Sequence, residues 1–75
     1  MTISPEQCRA ARAILLWSRE ELADRADVSA RTIVDFERGA RSPIKATLKA
    51  LKSAFEDAGI EFTNKGGVNP PKEQP

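Results

Sequence analysis

Apolar positions fall at helical spacing through most of the chain and change to alternation only near its end, which predicts four helices followed by a strand. Ser4 has the features of an N-cap: Pro5 follows at the first helical position, Gln7 stands where a capping box needs it, and Ile3 can staple onto Cys8. From there Cys8, Ala11, Ile14 and Leu15 form one apolar stripe, and Cys8 reads as core. The start signal recurs at Ser18, with Glu21 completing a second capping box and Trp17 placed against Leu22. This second helix is short, Arg19 to Ala26, because Asp27, Val28 and Ser29 interrupt it. Ser29 offers a third N-cap, with Val28 set to staple onto Ile33.

On a wheel of about 100° per residue, the third helix, residues 30 to 38, divides into two faces. Ile33 and Phe36 point inward with Thr32 near them, while Ala30, Arg31, Val34, Asp35 and Arg38 share an outer arc of about 140°. A merely solvated face has no need of that mixture. A reader of the DNA major groove does, since Arg takes guanine, Asp accepts from cytosine, and Ala or Val touches a thymine methyl. Gly39 stops the helix, and a Pro43-containing loop leads to the longest one, whose seam is Ile44, Leu48, Leu51, Phe55 and Ala58. Lys45, Lys49 and Lys52 lie off the seam, and Gly59 with Ile60 predicts a Schellman ending.

Beyond Gly59, Ile60 and Phe62 alternate with Glu61 and Thr63, then residues 64 to 67 form a turn before Val68. Such a short strand must pack on the helices, fold into a hairpin, or pair with the same segment of a second subunit through Ile60 and Phe62. The expected organisation is a helical domain over residues 1–59, a short strand over 60–68 that is a candidate dimerisation segment, and a disordered tail over 69–75. The fold class is all-α, a compact four-helix domain with a short C-terminal β-strand or hairpin.

Composition narrows the function. With 75 residues, 40% of them hydrophobic and 31% charged, the chain makes one domain around one small core. No run approaches the roughly 18 apolar residues of a membrane span, and residues 1 to 6 lack the pattern of a secretory signal, so a cytoplasmic protein is expected. One Cys, no His and no Tyr exclude an internal disulfide and the usual zinc ligand sets. They also remove most groups that act as acid, base or nucleophile near neutral pH, so neither an enzyme nor a cofactor or small-molecule binder is expected. Asp24, Asp27 and Asp35 lie near a turn, but helical spacing spreads them over different faces. The net charge of +1 hides an asymmetry: residues 1 to 41 hold seven Arg and no Lys, residues 42 to 75 five Lys and no Arg. Arginine favours planar contacts with phosphate and guanine, while each one taken singly is equally a solvated surface charge.

The run Trp17 to Ala23, then Val28-Ser29, Thr32-Ile33 and Phe36-Glu37-Arg38-Gly39, resembles the Cro and lambda-repressor (XRE) helix-turn-helix family over residues 8 to 58. The resemblance implies a lambda-repressor-like DNA-binding domain whose third helix is the recognition element. It puts Ala30, Arg31, Thr32, Val34 and Asp35 at base-contacting positions, and Ser18, Arg19, Ser29, Arg38 and Arg41 at phosphate-contacting ones. It further implies that Arg12 and Glu37 form a structural ion pair. The chain departs from the family in three places: Arg19 stands where Gln is usual, Leu16 and Asp27 where Gly is common, and the usual fifth helix is replaced by the segment from Ile60 to Val68.

The expected function is a transcriptional regulator, a repressor or autoregulator, that reads an inverted-repeat operator on double-stranded DNA as a homodimer. The alternative is a protein-interaction module, antitoxin-like or anti-activator, that keeps the scaffold and binds a partner protein. The near-neutral charge and an exposed Ile60-Glu61-Phe62 segment would favour that second reading.

Overall fold

The structure is a computed structural model that describes residues 2–72. Its order is α1 (Pro5–Leu15), α2 (Arg19–Ala26), α3 (Ala30–Glu37), α4 (Lys45–Asp57), β1 (Glu61–Phe62) and β2 (Val68–Asn69). Three serines start the first three helices. The Oγ of Ser4, Ser18 and Ser29 accepts from the backbone N–H of Gln7, Glu21 and Thr32 respectively, each within 3.1 Å. At α1 the capping box is complete, because Ser4 N–H donates to Gln7 Oε1 at 2.9 Å. At α2 only half of it forms, since the Glu21 carboxylate turns to Arg25 Nε at 2.6 Å instead.

The helix ends decide how the chain turns. Backbone N–H groups of Gly59 and Ile60 reach back to Glu56 O and Phe55 O at 2.9 and 3.1 Å, a Schellman ending with Ile60 and Phe55 both buried. Gly59 has φ +98°, and a Cβ there would lie 2.9 Å from that of Pro71, so conformation and close approach both require glycine. Leu16 and Asp27, where the family favours glycine, adopt the same left-handed region at φ 59° and 58°. The turns are thus built with the usual geometry, at a cost of about 1–2 kcal/mol for a leucine. Leu16 gains nothing by burial, being 91% exposed.

One core joins all the helices. Cys8, Ala11, Leu22, Ile33, Phe36, Leu51 and Phe55 are buried together, with α2 packed on both α3 and α4. Phe55 stacks on Trp17 at 5.7 Å between centroids and meets Phe62 edge-on at 5.8 Å, pairs worth about 0.5–1.5 kcal/mol each beyond area burial. Arg25 lies over the outer face of Trp17, 4.4 Å from its centroid.

Two expected core residues are exposed. Ile14 lies about 100° around α1 from Leu15 and so slips off the buried stripe. Ile44 is the N-cap of α4 with an extended backbone, so the helical period of the seam does not extend to it. Ala54 fills the seam alongside Leu51 and Phe55.

The C-terminal segment is a hairpin within the chain. β1 and β2 pair antiparallel, Glu61 with Asn69 and Phe62 with Val68. Ile60 is 2% exposed inside its own core, and Phe62 is half-buried on Phe55. The strand's need for a partner is thus met within the chain: Ile60 is buried by its own helices, while Phe62 stays partly exposed. Gln7 fastens the hairpin, its Nε2 donating to Thr63 O at 3.2 Å and Gly67 O at 3.1 Å. Of the segment expected as a disordered tail, Asn69 pairs with Glu61 and Pro71 lies against Gly59; residues 73–75 lie outside the described residues.

Candidate nucleic-acid interface

Helix α3 separates its faces as its sequence predicts, because Ile33, Phe36 and Glu37 are buried while Arg31 projects with its side chain 81% exposed. Among the described residues no C-terminal segment covers that outer side: the hairpin sits against α1 and Phe55. Within the outer arc the residues differ. Arg31 Nε donates to both Asp35 carboxylate oxygens at 3.3 Å, an i,i+4 pair that leaves its two terminal nitrogens unengaged among the described residues. Val34 and Asp35 are half-buried. Ala30 packs partly on the core, and the Thr32 hydroxyl lies 2.8 Å from that of Ser29, so these two stand at the margin of the face.

Behind this face lies a buried carboxylate. Glu37 Oε2 accepts from Arg12 Nε at 2.7 Å and Cys8 Sγ at 3.1 Å, while Oε1 accepts from Arg12 Nη2 at 2.8 Å and Arg19 Nε at 3.1 Å. A carboxylate has about four lone-pair sites, and all four are occupied. Arg9 donates to the main-chain carbonyl of the same residue, and Arg12 Nη1 to Trp17 O at 3.0 Å, which braces the turn between α1 and α2. Burial on its own would raise the Glu37 carboxyl. Hydrogen bonds from Arg12 and Cys8, with the charges of Arg12 and Arg19, overcome it and hold the group below the usual carboxylate range. Burial, followed by its bond to Glu37, pushes the Cys8 thiol up, so Cys8 serves as a neutral donor.

The expected phosphate-contacting residues are of three kinds. Ser18 and Ser29 are N-caps whose hydroxyls accept from backbone N–H, which leaves the Ser18 proton to donate outward. Arg38 and Arg41 are exposed at the end of α3 and in the following loop. Arg19, 42% exposed along its side chain, is tied by Nε to Glu37 at the head of α2. Glu20 and Glu21 share that first turn, and Arg25 pairs with Glu21.

Two short helices at a tight turn, the second with a polar outer face and a buried foot, are the geometry of a helix-turn-helix, and a helix-turn-helix family model matches residues 9–56. The chain belongs to the Cro/C1-type (XRE) helix-turn-helix family. No curated protein matches the chain. Membership makes this a DNA-binding helix-turn-helix domain of all-α class, in which α2 and α3 are the motif. Among the described residues no helix is long and apolar enough to cross a membrane.

Sequence reasoning missed several partners in this helix-turn-helix domain. Gln7 was legible as a capping residue but not as the clasp of the hairpin. Neither Cys8 nor Arg19 carried a signal toward Glu37, because both are remote from it in the chain.

Proposed function

We propose that this chain is a transcriptional regulator, a repressor of its own promoter, which reads an inverted-repeat operator in the major groove as a homodimer. One observation carries this reading: α3 is anchored by Ile33 and Phe36 and turns outward a face led by Arg31, whose terminal nitrogens are unengaged. Arg31 has the donors to read guanine O6 and N7, Asp35 an acceptor for cytosine, and Val34, with Ala30 and Thr32 at the margin, methyl groups for thymine. Ser18 and Arg19 at the head of α2, Ser29 and Arg38 at the two ends of α3, and Arg41 in the following loop are assigned to phosphates, which set register and most of the affinity. Two subunits would place their recognition helices about 34–36 Å apart, one helical turn of DNA. The regulator acts on DNA in the cytoplasm.

The test is selection of duplexes from a random library, followed by mobility shifts at two salt concentrations. Enrichment of a two-fold symmetric sequence whose affinity falls steeply with salt supports the proposal. Failure to enrich any sequence would favour the protein-interaction reading, which the net charge of +1 and the exposed Leu16 and Ile44 support.

A further inference from the structure

Two guanidinium groups share the Glu37 carboxylate. Arg12 makes a two-pronged contact to the carboxylate and neutralises it, Cys8 adds an uncharged donor, and Arg19 then binds a group whose charge is already matched. Arg19 is therefore oriented by a carboxylate whose main partner is another arginine, with Glu20 and Glu21 in the same first turn of α2. Among the described residues Arg19 makes only this contact, through Nε, which leaves both terminal nitrogens unengaged at the head of α2 beside the Ser18 hydroxyl. A guanidinium is planar, so fixing Nε fixes the plane in which its other donors lie.

We propose that Glu37 is a positioning residue for DNA binding, its Oε1 holding Arg19 so that the two terminal nitrogens present a preset fork to one backbone phosphate. This rests on the reading of α2 as a phosphate-contacting helix and adds that the contact is built from behind, by a carboxylate of α3. The recognition helix and the phosphate clamp then share one rigid joint. Setting one sets the other, and Arg19 loses less side-chain freedom on binding than a solvated arginine does.

Glu37→Gln is the obvious variant, but it removes a buried charge and can unfold the chain. Arg19→Lys avoids that difficulty, because lysine keeps the charge but has no Nε–H to hold on Glu37 and no planar fork. The probe is the duplex enriched by in vitro selection with the full chain; if the parent chain enriches none, it is the DNA-binding reading that fails, before this one is tested. With that duplex, Arg19→Ala should flatten the dependence of log K on log salt by about 0.9, the signature of one lost phosphate contact. Arg19→Lys should keep the parent slope and yet bind roughly tenfold more weakly, a loss of geometry without a loss of charge. A lysine variant that binds as tightly as the parent would overturn the proposal, as would an alanine variant with an unchanged slope.

Discussion

Two arginine–carboxylate pairs meet on α3 within two residues of each other, Arg31 with Asp35 and Arg12 with Glu37, alike in chemistry and opposite in setting. The Glu37 side chain is 1% exposed and receives four donors from three residues, whereas Arg31 is 81% exposed and shares a single nitrogen with Asp35 at 3.3 Å. In water an intrahelical pair is worth about 0.3–0.5 kcal/mol, so Arg31 would give up little in exchanging Asp35 for the base edge proposed above. Removing one partner from a buried pair costs about 3–5 kcal/mol, because the group left behind is charged and unmatched. One pair therefore fixes the helix in the domain, and the other is free to change partners on it.

The difference is sharpest under mutation. Glu37→Ala should lose about 3–5 kcal/mol of unfolding free energy in urea titrations, since it strands Arg12 and the Cys8 thiol together; a loss below about 1 kcal/mol would make the two pairs equivalent. The same group sets an acid limit. Because Glu37 ionises more readily folded than unfolded, its contribution is complete above the unfolded carboxylate value of about 4.3 and is lost as pH falls below that, through the lower folded value. Urea midpoints of the parent chain followed down from neutral pH should therefore hold steady and then decline in that acid range.

Next in size, Arg31→Ala should weaken binding to the selected duplex by about 1–3 kcal/mol and relax preference at one base position, while its unfolding free energy stays within about 0.5 kcal/mol of the parent. Uniform weakening across all sequences would make Arg31 a backbone contact instead. Leu16→Gly should stabilise the chain by up to about 1 kcal/mol, the left-handed strain relieved less the added freedom of glycine when unfolded. A rise of a few degrees in thermal midpoint would register it; a fall would mean that the Arg12 brace on Trp17 O needs the leucine. Smallest of all, Asp35→Ala should change stability by no more than about 0.5 kcal/mol in the same assay.

The elements of the fold were legible wherever the signal was local. Ser4, Ser18 and Ser29 sit beside the helices they cap, and the two faces of α3 follow from eight consecutive residues. What stayed open was long in range. Alternation at Ile60 and Phe62 marks a strand needing a partner, and nothing in that pattern distinguishes a second subunit from Phe55, Val68 and the helices of the same chain. For the candidate interface, the outward direction of Arg31 could be read from periodicity, and the Arg12–Glu37 contact came with the family resemblance. The tie of Arg19 to Glu37 could not be read, since Arg19 departs from the usual residue and its partner lies on another helix.

Gln7 and the hairpin it grips both fall outside residues 9–56, the stretch by which the family is recognised. The motif that meets DNA is thus shorter than the unit that folds. During synthesis the buried amide of Gln7 waits for carbonyls 56 and 60 residues downstream, so α1 leaves the ribosome with its clasp open and acquires its last partners only after every helix has been made.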